Sequence, residues 1–261
     1  MSGYSFTYRS EIFDLNKAYD AELLIKASRA EFSFLIVSKG VVLAWKDRTA
    51  ISEISNDHEL ATVMAATFKQ VTIGLLPDAL TLVPSQLFAT DRVGDFARFL
   101  DVMPDDKVFA AKLDKENQLI YKTDHTFINF LVSKFNLAPT IPADRGWIHA
   151  IAGTEPVNYA IYMDVTDGQI SLLNFNGGNI RFYNCFKTED VNDIIYYCLF
   201  VAKRLDIQPD YASLIISGNL PVSDMDKLQE FFRVVKNNDL KVLEVPAGVP
   251  SHQILSLAAL A

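Results

Sequence analysis

Cysteine is scarce: Cys185 and Cys198 are the two in 261 residues. They stand 13 positions apart, a spacing that matches no metal-ligand pattern. Cys185 falls in a predicted strand and Cys198 on the apolar face of a predicted helix, so both read as small buried hydrophobes. That usage fits a reducing, cytoplasmic setting. Positive charge is also short, with 24 Lys and Arg against 32 Asp and Glu and a net charge of −8. A surface of that sign repels phosphates, which argues against a nucleic-acid partner and against anionic membranes. Apolar windows such as Ile194–Val201 fall far short of the roughly 20 residues a span needs. The opening stretch, MSGYSFTYRSEIFDL, has no apolar export core. The tail Ile254–Ala261 is apolar but too short to cross, and is expected to dock or fray.

Motifs that carry chemistry are absent too. His58, His125, His149 and His252 form no HxH or HxxxH pair, so no metal site is expected from them. His125 follows Asp124 at a predicted helix start, where capping explains the pair. Trp45 and Trp147 are too few for a base-stacking platform and read as packing. No G-x-S-x-G, Walker A or G-x-G-x-x-G segment occurs.

What is present is a pattern of elements. Half the residues are hydrophobic, enough for one large domain or for two of ordinary size, each with its own core. In the C-terminal half, Val157, Tyr159, Ile161, Met163 and Val165 alternate as a strand does. Asp167-Gly168 predicts a tight turn, Gln169–Phe175 a second strand, Asn176-Gly177-Gly178-Asn179 another turn and Ile180–Phe186 a third strand. Such a series is an antiparallel meander. Thr188 is the expected cap of a helix whose stripe runs through Val191, Ile194, Ile195, Cys198, Leu199, Ala202 and Leu205. Leu214-Ile215-Ile216 reads as a strand buried on both faces. Ser223 is expected to cap a second helix running through Leu228, Phe231, Phe232 and Val235, and Lys241–Val245 to form a last strand.

The first half repeats this order. Strands are predicted at Ala21–Lys26, Glu31–Val37 and Val41–Trp45, a helix over Ser52–Phe68 and a buried strand at Val71–Leu76. Leu80–Val83 reads as a further strand and Arg92–Met103 as an amphipathic helix. Lys107–Leu113 and Gln118–Tyr121 form a predicted hairpin. Asp124 caps a helix through Phe135, and Trp147–Ala152 reads as a strand. The halves share element order rather than residues.

This duplicated order, with the segment Ile216-Ser217-Gly218-Asn219, resembles an uncharacterised Bacteroidota family, domain of unknown function 3822, whose fold is actin-like. The resemblance covers nearly the whole chain. It implies an α/β protein of two ribonuclease H-like (actin-like ATPase) lobes, each a mixed sheet flanked by helices, with no assigned activity. The lobes would be residues 1–104 and 156–261, with a hairpin, helix and linker inserted at 105–155.

The resemblance also says where a nucleotide would sit. Each lobe of an actin-like ATPase offers a turn with an Asp, which positions metal and its waters, followed by glycines that let backbone N–H groups reach phosphate. Asp164 stands in the acid's place, but Thr166 and Asp167 stand where glycine is expected, before Gly168. The matching turn of the first half, Ala27-Ser28-Arg29-Ala30, has neither Asp nor Gly, and its Arg29 is expected to be solvated. The adenosine-binding Gly-Gly pair is reduced to Ser217-Gly218-Asn219, whose glycine a strand-to-helix turn explains equally well. A two-metal nuclease could use Asp164 and Asp193, yet its acid at the end of the fourth strand is missing. The leading expectation is therefore a non-catalytic binding or scaffold protein, acting on a protein partner or on itself, without cofactor and with degenerate nucleotide motifs. Such a protein should expose a large apolar patch. The alternative is an ATPase or kinase holding Mg-ATP through an altered site at Asp164, Asp167, Gly168, Ser217, Gly218 and Asn219.

Overall fold

Glu22 begins the first of two superimposable strand orders. The computed structural model describes residues 6–55, 58–135, 138–166 and 168–261. The first lobe holds β1 (Tyr8–Arg9), β2 (Glu22–Ala27), β3 (Glu31–Ser38), β4 (Val41–Ala50), α1 (His58–Ala65) and β5 (Gln70–Leu75). The chain then leaves that sheet for β6 (Ala79–Pro84), α2 (Val93–Ala97), β7 (Asp106–Lys112) and β8 (Asn117–Asp124). It returns through α3 (His125–Lys134), β9 (Thr140–Pro142) and α4 (Asp144–Ala152). The second lobe holds β10 (Ala160–Thr166), β11 (Gln169–Asn176), β12 (Asn179–Lys187), α5 (Val191–Arg204), β13 (Ser213–Gly218), α6 (Val222–Gln229), β14 (Val234–Asn237) and α7 (Ser251–Ala258).

The sheets run β1-β4-β3-β2-β5-β9 and β12-β11-β10-β13-β14, with β6-β8-β7 as a separate small sheet. Without the two-residue β1, both large sheets have the same order, an antiparallel meander continued by parallel strands. The duplication extends to register. Lys26 faces Ser33 across the first hairpin, and Asp164 faces Ser171 across the second. The small sheet begins at Ala79, inside the stretch expected to belong wholly to the first lobe.

Each large sheet buries both faces. On β3, Phe32, Phe34 and Ile36 pack under α1 and α3, while Leu35 and Val37 face the other way. That other face is covered by Ile254, Leu257 and Ala258 of α7. In the second sheet, Ile161 and Met163 pack under α5 and Leu228, while Ala160 and Tyr162 meet Trp147, Ile148 and Ile151 of α4. The last helix of each half therefore reaches the sheet of the other, and α7 also lies against β13 of its own sheet, with Leu255 in that core. The two helices cross where Gly146 meets Ala259, so closely that a Cβ on Gly146 would lie 1.9 Å from the Ala259 carbonyl oxygen.

Several expectations are corrected. Trp147–Ala152 is helix, because its residues split between a buried face and a turn rather than alternating. The first strand of the second lobe starts at Ala160, with Val157 and Tyr159 exposed ahead of it. Asp190, not Thr188, caps α5, its carboxylate accepting from Asn192 and Asp193 N–H. Pro221 precedes α6 and Ser223 lies inside it. That helix stops at Gln229, and Val235 lies in β14, buried with Phe232 although neither is helical. Lys241–Val245 forms no strand of the second sheet; Glu244 instead bridges to Val41 of β4. The helices expected over Ser52–Phe68 and Arg92–Met103 shorten to α1 and α2, each beside a 3₁₀ turn. The apolar tail is a docked helix.

Candidate functional site: the cleft between the lobes

Period-two alternation sets the site. Lys26 follows Leu24 onto the inner face of β2, and Asp164 follows Tyr162 onto the inner face of β10. Because the two hairpins share one register, these are equivalent positions of the two lobes, and they meet. Lys26 Nζ lies 2.5 Å from Asp164 Oδ2 and donates to Ser256 Oγ of α7 at 2.8 Å. Lys26 is 7% exposed and Asp164 2%, so the pair is out of reach of bulk water.

A second carboxylate lies close by. Asp144, at the start of α4, accepts from Ser171 Oγ at 2.5 Å and from Tyr183 OH at 2.7 Å. One ammonium thus serves two buried carboxylates, and Oδ1 of Asp144 and Oδ1 of Asp164 have no hydrogen-bond partner. Burial pulls the Lys26 pKa down, but Asp164 and Asp144 pull it up further, and the net shift is upward. Burial raises Asp164, Lys26 opposes that, and Asp144 adds to it. Lys26 and Ser256 are spaced like a serine with its lysine base. A lysine must be neutral to act as a base, and Asp164 holds this one charged.

The remaining expected site residues have structural roles. Ser217 is buried and its hydroxyl accepts from Trp147 Nε1 at 3.0 Å and from Asn238 Nδ2 at 3.4 Å. Gly218 has φ +83°, and a Cβ there would lie 2.1 Å from the Val165 carbonyl oxygen. The glycine is required by the approach of β13 to β10. Asn219 accepts weakly from Gln253 of α7. Gly168 has φ +67° in the hairpin turn, which Thr166 closes by donating to the Gln169 carbonyl. Asp167 lies outside the described residues. Asp193 accepts from the Glu189 N–H at the entry to α5. Arg29, expected to be solvated, is half exposed but reaches Asp78 at 2.8 Å, Asp106 at 3.4 Å and Asp124 at 3.7 Å. It fastens the β2–β3 turn to the small sheet.

Both thiols are pushed up to about 12 by burial and do not ionise near neutrality. Among the described residues no group of three His, Cys, Asp or Glu is placed to hold a metal. The cleft keeps a cavity of about 50 Å³, lined by Lys26, Ser33, Arg48, Thr166, Gly218 and Ser256. Lys26 is the residue that sequence reasoning missed. Its signal was available, since laying Glu22–Ser38 on Ala160–Asn176 without a gap puts Lys26 on Asp164.

Strand order and facing turns define an actin-like protein of two ribonuclease H-like lobes. Residues 10–235 match the family described as protein of unknown function (DUF3822), and the chain belongs to it. Among solved structures it is similar to a Bacteroides thetaiotaomicron protein with an actin-like ATPase fold and unknown function. That match has a TM-score of 0.75 and 20% identity over 95% of this chain and 98% of the other. It is also similar to a structure of the PilM–PilN type IV pilus biogenesis complex, with a TM-score of 0.61 and 12% identity over 91% and 97% of the chains. The ethanolamine utilization protein EutJ of Carboxydothermus hydrogenoformans gives 0.50 and 10% over 93% and 88%. No curated protein matches the sequence. No helix among the described residues is long and apolar enough to cross a membrane.

Proposed function

We propose that this chain is a non-catalytic actin-like protein that works by binding a protein partner or another copy of itself, its inter-lobe cleft latched rather than loaded with nucleotide. One observation carries the reading: the ammonium of Lys26 sits against Asp164, the acid that would otherwise position a metal and its waters. A nucleotide with its cation would have to break a buried ion pair, a loss that costs about 3–5 kcal/mol when one partner is stranded. It would also have to enlarge a 50 Å³ cavity to the roughly 300–1,000 Å³ of ordinary ligand sites. A binding role is supported by exposed aromatic surface on the second lobe. Tyr196 is 60% exposed and Phe200 37%, their rings stacked at 6.1 Å. The half-buried rings of Tyr197, Phe186 and Phe182 continue the row. A structure of similar fold that is itself a two-protein complex, PilM–PilN, points the same way. The two free thiols, Cys198 buried and Cys185 half-buried, accord with a cytoplasmic setting.

Thermal unfolding with and without millimolar Mg-ATP tests the reading. A ligand at 100 times its dissociation constant adds about 2.7 kcal/mol of stability. Unchanged melting curves are expected. A rise of several degrees that Asp164→Ala abolishes would overturn the proposal in favour of an ATP-dependent enzyme or switch.

A further inference from the structure

Two surfaces outside the cleft complement each other. On α5, Asn192, Tyr196, Phe200 and Arg204 recur every fourth residue and so share one face. The Arg204 guanidinium lies 5.1 Å from the centre of the Phe200 ring, and Lys203 stands beside it in the last turn. This face is aromatic in the middle and basic at one end. The second surface is the loop between α2 and β7. Phe99 is 67% exposed, Met103 59% and Val102 41%, and the exposed Asp101 and Asp105 stand among them. Exposed apolar side chains usually come at an entropic disadvantage, because a floppy loop must be ordered on binding. Here the loop is already held. The ammonium of Lys122 donates to the Asp101 carbonyl at 2.6 Å and to Asp106 Oδ2 at 2.7 Å, and Asp106 Oδ2 also accepts from Met103 N–H at 2.9 Å.

We propose that the Phe99–Asp105 loop of one copy docks on the α5 face of a second copy. Phe99, Val102 and Met103 cover the Tyr196–Phe200 stack, a contact suited to a thioether against aromatic rings. Asp101 and Asp105 meet Lys203 and Arg204. The occupant is a second copy because the chain itself supplies a rigid segment of the required kind, apolar throughout and acidic at Asp101 and Asp105, the Arg98 guanidinium lying 5.3 Å from the Phe99 ring at its opposite end. The two surfaces differ, so the contact is heterologous: each docked copy still offers one loop and one face, and assembly continues into a ring or a filament.

The proposal rests on the reading of this chain as a binding protein and specifies its partner. Charge reversal tests it at about 0.15 M salt, where the Debye length of about 8 Å screens the overall repulsion between acidic copies. Sedimentation at about 100 µM protein should show the full chain as oligomers, a concentration that populates complexes with dissociation constants of about 10 µM. Lys203→Glu with Arg204→Glu should give monomers, as should Asp101→Lys with Asp105→Lys. The fourfold variant, and an equimolar mixture of the two doubles, should assemble again. Circular dichroism confirms that each variant is folded; should the helix pair fail to fold, the loop pair and its response to Phe99→Ser decide alone. A monomeric full chain, or oligomers indifferent to all four reversals, overturns the proposal. Neither outcome touches the latched cleft, which the nucleotide melting curves test separately.

Discussion

Lys26 and Asp164 show how a single position decides what a cleft can do. A carboxylate at both equivalent positions would present two acids to a cation, whereas one ammonium turns the same geometry into a clasp. Lys26→Ala should therefore be severe, costing about 3–5 kcal/mol, because Asp164 is left buried and unpaired. Lys26→Met combined with Asp164→Leu should restore part of that loss, since the apolar pair itself carries no desolvated charge, while buried Asp144 keeps Ser171 and Tyr183 but loses the ammonium. Urea unfolding of the parent, Lys26→Ala, Asp164→Ala and the Met/Leu chain measures what the clasp holds. Equal midpoints for the single Ala variants and the parent would mean the clasp holds nothing. Alkaline pH gives a second reading. Lys26 is raised above its ordinary 10.5. Its contribution is thus complete below that value and is lost as pH climbs through the higher folded value. The Met/Leu chain should show a smaller alkaline loss, the part due to buried Tyr183 and the two thiols remaining.

At the scale of elements, the crossing of α4 and α7 is set by one missing side chain. Gly146→Ala would drive a methyl group into the Ala259 carbonyl, a backbone atom that cannot rotate away. Overpacking of this kind costs about 1–3 kcal/mol. Gly94→Ala in α2 meets nothing within 4 Å and should instead stabilise by up to about 1 kcal/mol. Thermal unfolding of the two variants should move in opposite directions; parallel shifts would contradict the crossing. The elements themselves were legible in the sequence to different degrees. The hairpins were plain, since strand alternation and residues such as Gly177 and Gly178, at φ +57° and +80°, mark both strands and turns. The capping of α3 by Asp124 was plain too. α4 was not, because Trp147, Ile148 and Ile151 form a short apolar run that reads equally well as strand. β14 was hidden because Phe232 and Val235 happen to continue the spacing of α6. Asp164 was found as an acid beside a turn, but the clasp depends on Lys26, which lies 138 residues away, and a lysine ending a strand is ordinarily solvated.

For the whole molecule, the exchange of terminal helices makes the lobes interdependent. Removing Ser251–Ala261 would strip Ile254, Leu257 and Leu260 from Leu24, Leu35 and Val37, and take Ser256 from Lys26. The truncated chain should lose the first lobe and the closed cleft together, visible as expansion in small-angle scattering and as aggregation. A truncated protein with unchanged scattering would show that α7 is dispensable. The exchange also has a consequence in time. A ribosome completes the first sheet long before it makes the helix that covers it, so the emerging first lobe shows water a bare face of Leu24, Leu35 and Val37 until α7 is made. Folding lobe by lobe, the usual order for a chain of this length, is closed to it. The helix made after both sheets is the one that lets the first sheet settle.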